Sequence, residues 1–272
     1  MTATPDFLKR IIEQKRVRLA RAMSLRPLGE VRSEALRVRS ESRPHALRAA
    51  LEGYTSFNVI AEIKRASPSL GDIRRDASPA GIALRYEAGG AAAISVLTEE
   101  DHFRGSLEDL RAVRAVTSLP LLRKDFIVDE WQLYEAAAAH ADALLLIVAA
   151  LEDATLARLR RIAEDELGMD ALVEVHTGEE LRRAAVCGAG IIGVNNRNLH
   201  TFEVSLETSV ELIGDAPPGA LLVSESGLRT HADLRRLKSL GYRGFLVGET
   251  LMRAGDPAGA LRALLAGESS AE

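Results

Sequence analysis

The chain has one cysteine, Cys187, in 272 residues. That excludes an intrachain disulfide and any cluster built on several thiolates. It also lacks a long apolar run. The longest, near Ala141 to Leu151, is interrupted by Asp142 and is far short of the roughly 20 residues that a membrane-crossing helix needs. The opening stretch MTATPDFLKRIIEQKR carries charge throughout and has no apolar core of a secretory signal. No membrane association is expected, and the cytoplasm is the expected location. No spacing of His, Asp and Glu suggests a metal site. There is no G-x-G-x-x-G turn after the first strand-like run, which argues against an open dinucleotide-binding sheet.

Charge of one sign is scarce only locally. Residues 1–50 hold 12 Lys and Arg against 5 Asp and Glu, so of 35 and 39 in the whole chain the remainder holds 23 and 34. A basic arm can contact nucleic acid, but no nucleic-acid motif follows and the rest is acidic, so no such partner is expected. The arm reads instead as a solvated helix that pairs with the acidic remainder, or as a source of field that draws in an anionic substrate.

With 47% hydrophobic and 27% charged residues, the composition fits a soluble globular protein with a sizeable core. After residue 50, short runs rich in Val, Ile and Leu alternate with longer stretches of helical spacing. The short runs are 57–64, 91–98, 119–126, 142–149, 170–176, 191–196, 220–226 and 244–249. Each is apolar nearly throughout, as parallel strands covered on both faces must be. Ser78-Pro79, Asp129, Thr177 with Glu180, Thr230 and Asp256-Pro257 read as helix N-caps. Gly in EAGG, CGAG and LGYRG marks helix ends before the next strand. Eight such units predict a (β/α)8 TIM barrel, an α/β fold, with an N-terminal helical extension. Residues 1–272 read as a single domain. Thr4-Pro5-Asp6 opens an amphipathic helix with Leu8, Ile11, Ile12, Leu19 and Met23 near one face, and a second helical stretch covers about 30–52. Residues 1–50 are too poor in large apolar side chains to fold alone and are expected to pack on the barrel.

Barrel enzymes place their chemistry at the carboxyl ends of the strands. Polar residues collect there: Glu62, Lys64 and Ser67; Lys124 and Asp125; Glu174 and His176; Asn195, Asn196 and Arg197; Ser224, Glu225, Ser226 and Gly227; Gly248 and Glu249. Alternation puts Glu62 with Lys64, Asn195 with Arg197, and Ser224 with Ser226 on common faces. Two lysines with several carboxylates form a denser cluster than stability requires, since buried charge is costly. Gly227 and Gly248 let backbone amides approach an anion, and Glu249-Thr250 can open a short helix toward it, with the Glu249 carboxylate turned away. Among lone candidates, Cys187 reads as packing, His176 as a rim or loop residue, His102 and Phe103 as part of a lid, and Trp131 as core.

EIKRASPS (62–69), SVLTE (95–99), LLRKDFI (121–127), LVEVH (172–176), GVNNRNL (193–199), SESG (224–227) and VGETLM (247–252) occur in that order. The series resembles the motifs of the indole-3-glycerol-phosphate synthases. Leu70 and Thr250 depart from it, standing where Lys and Ser are frequent. The resemblance implies a carbon–carbon lyase of tryptophan biosynthesis. It would convert 1-(2-carboxyphenylamino)-1-deoxyribulose 5-phosphate to indole-3-glycerol phosphate, CO2 and water, without a cofactor. It implies Lys124 as the general acid on the keto oxygen and Glu174 as general base or stabiliser of the developing cation. Lys64 would pair with the substrate carboxylate, Glu62 and Asn195 would orient lysines and hydroxyls, and Ser226 would supply a polar contact. Arg197 and Phe126 would bind substrate, and Ser67, Gly227, Gly248 and Glu249 would hold the phosphate. A monomer or weak homo-oligomer is expected. A Schiff-base lyase with Lys124 or Lys64 as nucleophile is the alternative enzyme on this barrel.

Overall fold

The computed structural model describes residues 6–53, 57–68 and 71–267. Eight parallel strands close on themselves: β1 (Asn58–Ile63), β2 (Ala93–Leu97), β3 (Leu121–Lys124), β4 (Ala143–Ile147), β5 (Asp170–Val175), β6 (Ile191–Asn195), β7 (Leu221–Glu225) and β8 (Gly244–Val247). Each strand pairs with its sequence neighbours, and β8 returns to β1 with Ala61 opposite Val247. The predicted (β/α)8 barrel is thus present, and every barrel strand lies within a run read from the sequence; a small antiparallel pair, Ala66–Ser67 with Gly71–Asp72, lies outside those runs.

The predicted caps carry real hydrogen bonds. Ser78, Thr177 and Asp256 accept from Gly81, Glu180 and Ala258 amides, and Asp129 and Thr230 form full capping boxes. Each satisfies an amide that the first helical turn leaves without a partner. The helices they open are α4 (Pro79–Ala88), α6 (Glu130–Ala138), α8 (Gly178–Val186), α10 (His231–Leu240) and α12 (Pro257–Ala266), while α5 (Leu107–Arg114), α7 (Asp153–Arg161), α9 (Glu207–Leu212) and the short α11 (Glu249–Arg253) complete the ring. Gly241 closes α10 at φ 119, a conformation open to glycine.

Before the barrel come α1 (Asp6–Leu25), α2 (Leu28–Ser40) and α3 (Ala46–Glu52). Thr4 and Pro5 of the expected cap lie outside the described residues. Leu8, Ile11, Ile12 and Leu19 of α1 are buried, but Met23 is 37% exposed and leaves the packed stripe. The expected single stretch over 30–52 is two helices. Pro44 disfavours helical geometry in the residue before it, and His45 follows at φ 48, so the chain turns there. The break has a use. It lets α3 plug the amino end of the barrel, where Leu47 and Leu51 join Ile60, Leu122, Leu172, Ile191 and Val223 in the interior core. Asp170 at the start of β5 accepts from the Arg48 amide at 2.9 Å and pairs with His45, and Asn58 at the start of β1 donates to Leu51 O at 2.7 Å. With that end sealed, the barrel opens only at its carboxyl end. Trp131 is core, 4% exposed, and its indole N–H donates to Arg26 O. Cys187 caps α8, half-buried, with burial pushing its thiol pKa up.

Candidate active site

A cavity of about 400 Å³ occupies the carboxyl end, within the usual range for small-ligand sites. The twelve residues given roles by the resemblance line it: Glu62, Lys64, Ser67, Lys124, Phe126, Glu174, Asn195, Arg197, Ser226, Gly227, Gly248 and Glu249; of the other strand-end residues, Asp125 and Glu225 line it and His176, Asn196 and Ser224 do not. They come from strand ends far apart in sequence. Alternation explains most of them. Glu62 and Lys64 follow Ile60 on the inward face, as Glu174 follows Leu172 and Lys124 follows Leu122.

Two ion-pair groups form the floor. Lys64 donates to Glu62 Oε1 at 2.7 Å. Lys124 donates to Glu174 Oε2 at 2.7 Å and lies 2.9 Å from Glu225 Oε2. The side chains of Glu62, Glu174 and Glu225 are all 5% exposed or less. Burial alone would lower the Lys124 pKa, but Glu174, Glu225 and Glu62 outweigh it and hold the ammonium well above its ordinary value. Burial works against Glu174 as an anion as well, yet Lys124 and His176 keep it far below the ordinary carboxylate range. Glu225 goes the other way. Burial and the neighbouring Glu174 charge exceed the pull of Lys124 and push it up to about 7. One ammonium shared by two buried carboxylates stabilises one anion fully and leaves the other close to neutrality.

Glu225 is the residue that strand alternation misplaced. Ser224 and Ser226 were expected to share the mouth-facing side. Instead, Ser224 is fully buried behind the strand, bonded to Asn196 and Ser209, and Glu225 points inward. The strand ends at Glu225, and Ser226 at φ 67 has already turned out of the extended conformation, which brings it to the cavity by a different path. Register supplies the missed signal, since Glu225 is paired with Asn195, itself inward-facing. So does Gly193, where a Cβ would stand 2.1 Å from Glu225 Oε1. Gly248 does the same service for Glu62, with a Cβ there only 2.4 Å from Oε1.

Asp125, beside Lys124, belongs to a separate network. Thr98 donates to it at 2.6 Å, Arg123 at 3.1 Å, and the buried Lys15 of α1 pairs with it at 2.8 Å. That pair ties α1 to the end of β3 and brings Phe7 and Leu8 into the cavity wall, a contribution from outside the repeat that spacing could not reveal. Phe7 meets the rings of His102 and Phe202 edge-on at 5.5 and 5.3 Å, linking the loops after β2 and β6. Phe103 and Phe126 stand 6.3 Å apart on the wall, with Leu145, Ile147 and Leu199 nearby, so an apolar face opposes the charged floor.

At one side Ser67, Gly227, Gly248 and Glu249 converge. Ser67 Oγ is buried with no hydrogen-bond partner among the described residues. Gly227 sits at φ 83, and a Cβ there would lie 2.6 Å from Val204. The Glu249 carboxylate pairs with Arg253 at 3.3 Å. Thr250 donates to Leu228 O, and Leu70 lies outside the described residues. His176 is the loop residue expected, just past the end of β5, with its side chain 9% exposed; it borders a second cleft and does not line this cavity.

A family model described as indole-3-glycerol phosphate synthase matches residues 8–264. The indole-3-glycerol phosphate synthase of Carboxydothermus hydrogenoformans is 47% identical over 267 residues, covering 96% of this chain and 100% of that protein. The one from a Polaromonas species is 48% identical over 260 residues, covering 95% and 98%. Among solved structures, KGPDC from Streptococcus mutans in complex with D-R5P superposes with a TM-score of 0.60 at 16% identity, over 77% of this chain and 96% of that one, and shares the barrel fold alone. With a family model spanning nearly the whole chain and relatives near half-identical end to end, the chain belongs to the indole-3-glycerol phosphate synthase family.

Proposed function

We propose that the cavity closes the indole ring of 1-(2-carboxyphenylamino)-1-deoxyribulose 5-phosphate with loss of CO2 and water, and that Lys124 is the acid that starts it. The observation that carries this is an ammonium held between two buried carboxylates at the floor of an apolar-walled cavity. Ring closure requires a proton on the ribulose keto oxygen as the aromatic carbon attacks. Lys124 is kept protonated by Glu174 and Glu225, so the proton is present before substrate arrives. Charge that develops on the substrate oxygen then replaces part of the carboxylate field around the ammonium. Glu174, held ionised, stabilises the cation formed on the ring side or removes its proton. Such positioned acids and bases contribute about 10²–10⁴-fold each.

Lys64 offers an ammonium to the substrate carboxylate, and Glu62 fixes its direction. Asn195 and Ser226 are placed to meet substrate hydroxyls, and Arg197 and Phe126 to bind the carboxyphenyl end, which suits the aromatic wall. Ser67, with its free hydroxyl valence, and the backbone at Gly227, Gly248 and Glu249 form the phosphate cradle. A phosphate anchored there would hold the flexible sugar chain in a reactive pose, turning remote binding into rate. No cofactor enters this scheme. A Schiff-base lyase needs a neutral amine nucleophile, and the carboxylates around Lys124 disfavour one. The enzyme is taken to act in the cytoplasm on this small phosphorylated substrate, as one domain with its N-terminal extension, a monomer or weak homo-oligomer without nucleic acid. Mixing protein with the substrate and following indole fluorescence tests the scheme. A rise that disappears in Lys124→Ala, with no adduct trapped by borohydride, is expected; turnover by Lys124→Ala near the wild-type rate would refute the acid role.

A further inference from the structure

Glu174 has two carboxylate oxygens, and the proposed chemistry accounts for one. Oε2 accepts a hydrogen bond from Lys124 Nζ at 2.7 Å. Oε1 lies 3.4 Å from Nε2 of His176, an ion-pair contact longer than a normal hydrogen bond. The imidazole is itself fixed from the opposite side. Its Nδ1 lies 3.0 Å from Glu180 Oε2, and the same oxygen accepts the His176 backbone N–H at 2.7 Å. Glu180 stands in the first turn of α8, so the helix that follows β5 folds back to grip the strand's last histidine. Both ring nitrogens therefore face carboxylate oxygens. A ring with carboxylate oxygens on both sides is best satisfied with a proton on each nitrogen.

We propose that His176 is a positioning residue for the reaction: anchored by Glu180, its imidazolium holds Glu174 Oε1 and so orients the carboxylate that keeps Oε2 on Lys124. The inference rests on the catalytic reading of Glu174. His176 lies outside the cavity that would take substrate, so its action runs through Glu174 and not by contact. Its side chain is 9% exposed and borders a cleft on the far side from the cavity. The need for a second cation is local. Glu174 and Glu225 share Lys124, and without His176 the two carboxylates would compete for one ammonium. Burial disfavours the imidazolium, but Glu174 and Glu180 outweigh burial and push its pKa up to about 9. The charges beyond it are mixed. A cleft on its outer side carries Arg16 of α1, Glu152 after β4, Glu179 of α8, and His200 and Glu203 after β6. Arg183 and Asp153 in the same cleft pair with each other at 2.6 Å.

His176→Gln removes the charge and keeps a polar side chain. Its kcat at neutral pH should fall by about 10- to 100-fold, the range seen when partners that orient functional ligands are lost, with KM within about twofold of wild type. The acid limb of the kcat profile should move to higher pH, because Glu174 without its second cation is easier to protonate. Glu180→Gln, which keeps the acceptor but drops the anchoring charge, should move both readouts in the same direction by less, and serves if His176→Gln does not fold. Glu174→Gln is measured alongside. Wild-type kcat and an unmoved acid limb in both His176→Gln and Glu180→Gln, with Glu174→Gln inactive, would overturn the positioning role alone. An active Glu174→Gln would overturn the reading beneath it and this role together.

Discussion

Removing the Lys124 ammonium should reveal how much of the site is held together by one charge. In Lys124→Ala the Glu174 and Glu225 carboxylates, 4% and 1% exposed, lose their shared partner while their burial persists. Breaking a buried pair by deleting one member costs about 3–5 kcal/mol, because the remaining ion is left uncompensated. For a chain of this size that corresponds to a melting temperature lower by about 10 °C. The cost must depend on pH. Without the lysine both folded-state carboxyl pKa values rise above their unfolded values, so the folded state binds more protons than the unfolded one across the window from the ordinary carboxylate pKa up to the raised ones. Stability of the variant then falls as pH rises through that window and recovers as pH falls and the carboxyls protonate. In the wild-type protein Glu174 is already held far below the ordinary range, and only Glu225, near 7, contributes such a slope. Thermal melting of both proteins at pH 5 and pH 8 measures the difference, with a deficit larger at pH 8. Adding Glu225→Gln to the variant should restore part of the loss at pH 8, since one of the two unpaired anions is gone. A deficit under about 1 kcal/mol, or one that is the same at both pH values, would refute the view that this cluster is a charge-balanced unit.

Two further outcomes follow from local geometry. Ser67→Ala should raise KM with kcat little changed and melting unaltered, because the hydroxyl has no hydrogen-bond partner among the described residues to lose; steady-state kinetics would exclude it from the phosphate cradle if KM stayed the same. Gly193→Ala puts a methyl 2.1 Å from Glu225 Oε1, so the carboxylate must move, with a loss of about 1–3 kcal/mol typical of overpacking and a fall in kcat; unchanged turnover would show that Glu225 need not stand where it does.

The barrel was legible because parallel strands buried on both faces are apolar nearly throughout and because Ser, Thr and Asp caps separate them from helices. Strand-end position then located Glu62, Lys64, Lys124, Glu174 and Asn195. Three things were not legible. The inward orientation of Glu225 was hidden because β7 is apolar on both faces, which leaves no alternation to set its phase, and because Ser226 leaves the strand one residue earlier than alternation assumed. The pairing of His176 with Glu174, two residues back, and Glu180, four residues on, is local, but the rim reading weighed the histidine alone and left both carboxylates out. Phe7 and Leu8 reach the cavity only because Lys15 docks on Asp125, two residues 110 positions apart that nothing in either local sequence connects.

The seam of the ring carries one more implication. Glu62 stands on the first strand and rests against Gly248, just past the last, so the floor of the cavity is walled by both extremes of the barrel. A chain stopped before Gly244 would present β1 and β7 as open edges and leave Glu62 facing solvent. The acidic floor is therefore complete only with the eighth strand in place. New ends cut on the helix side of another unit, with the old ones bridged, should rebuild the same floor.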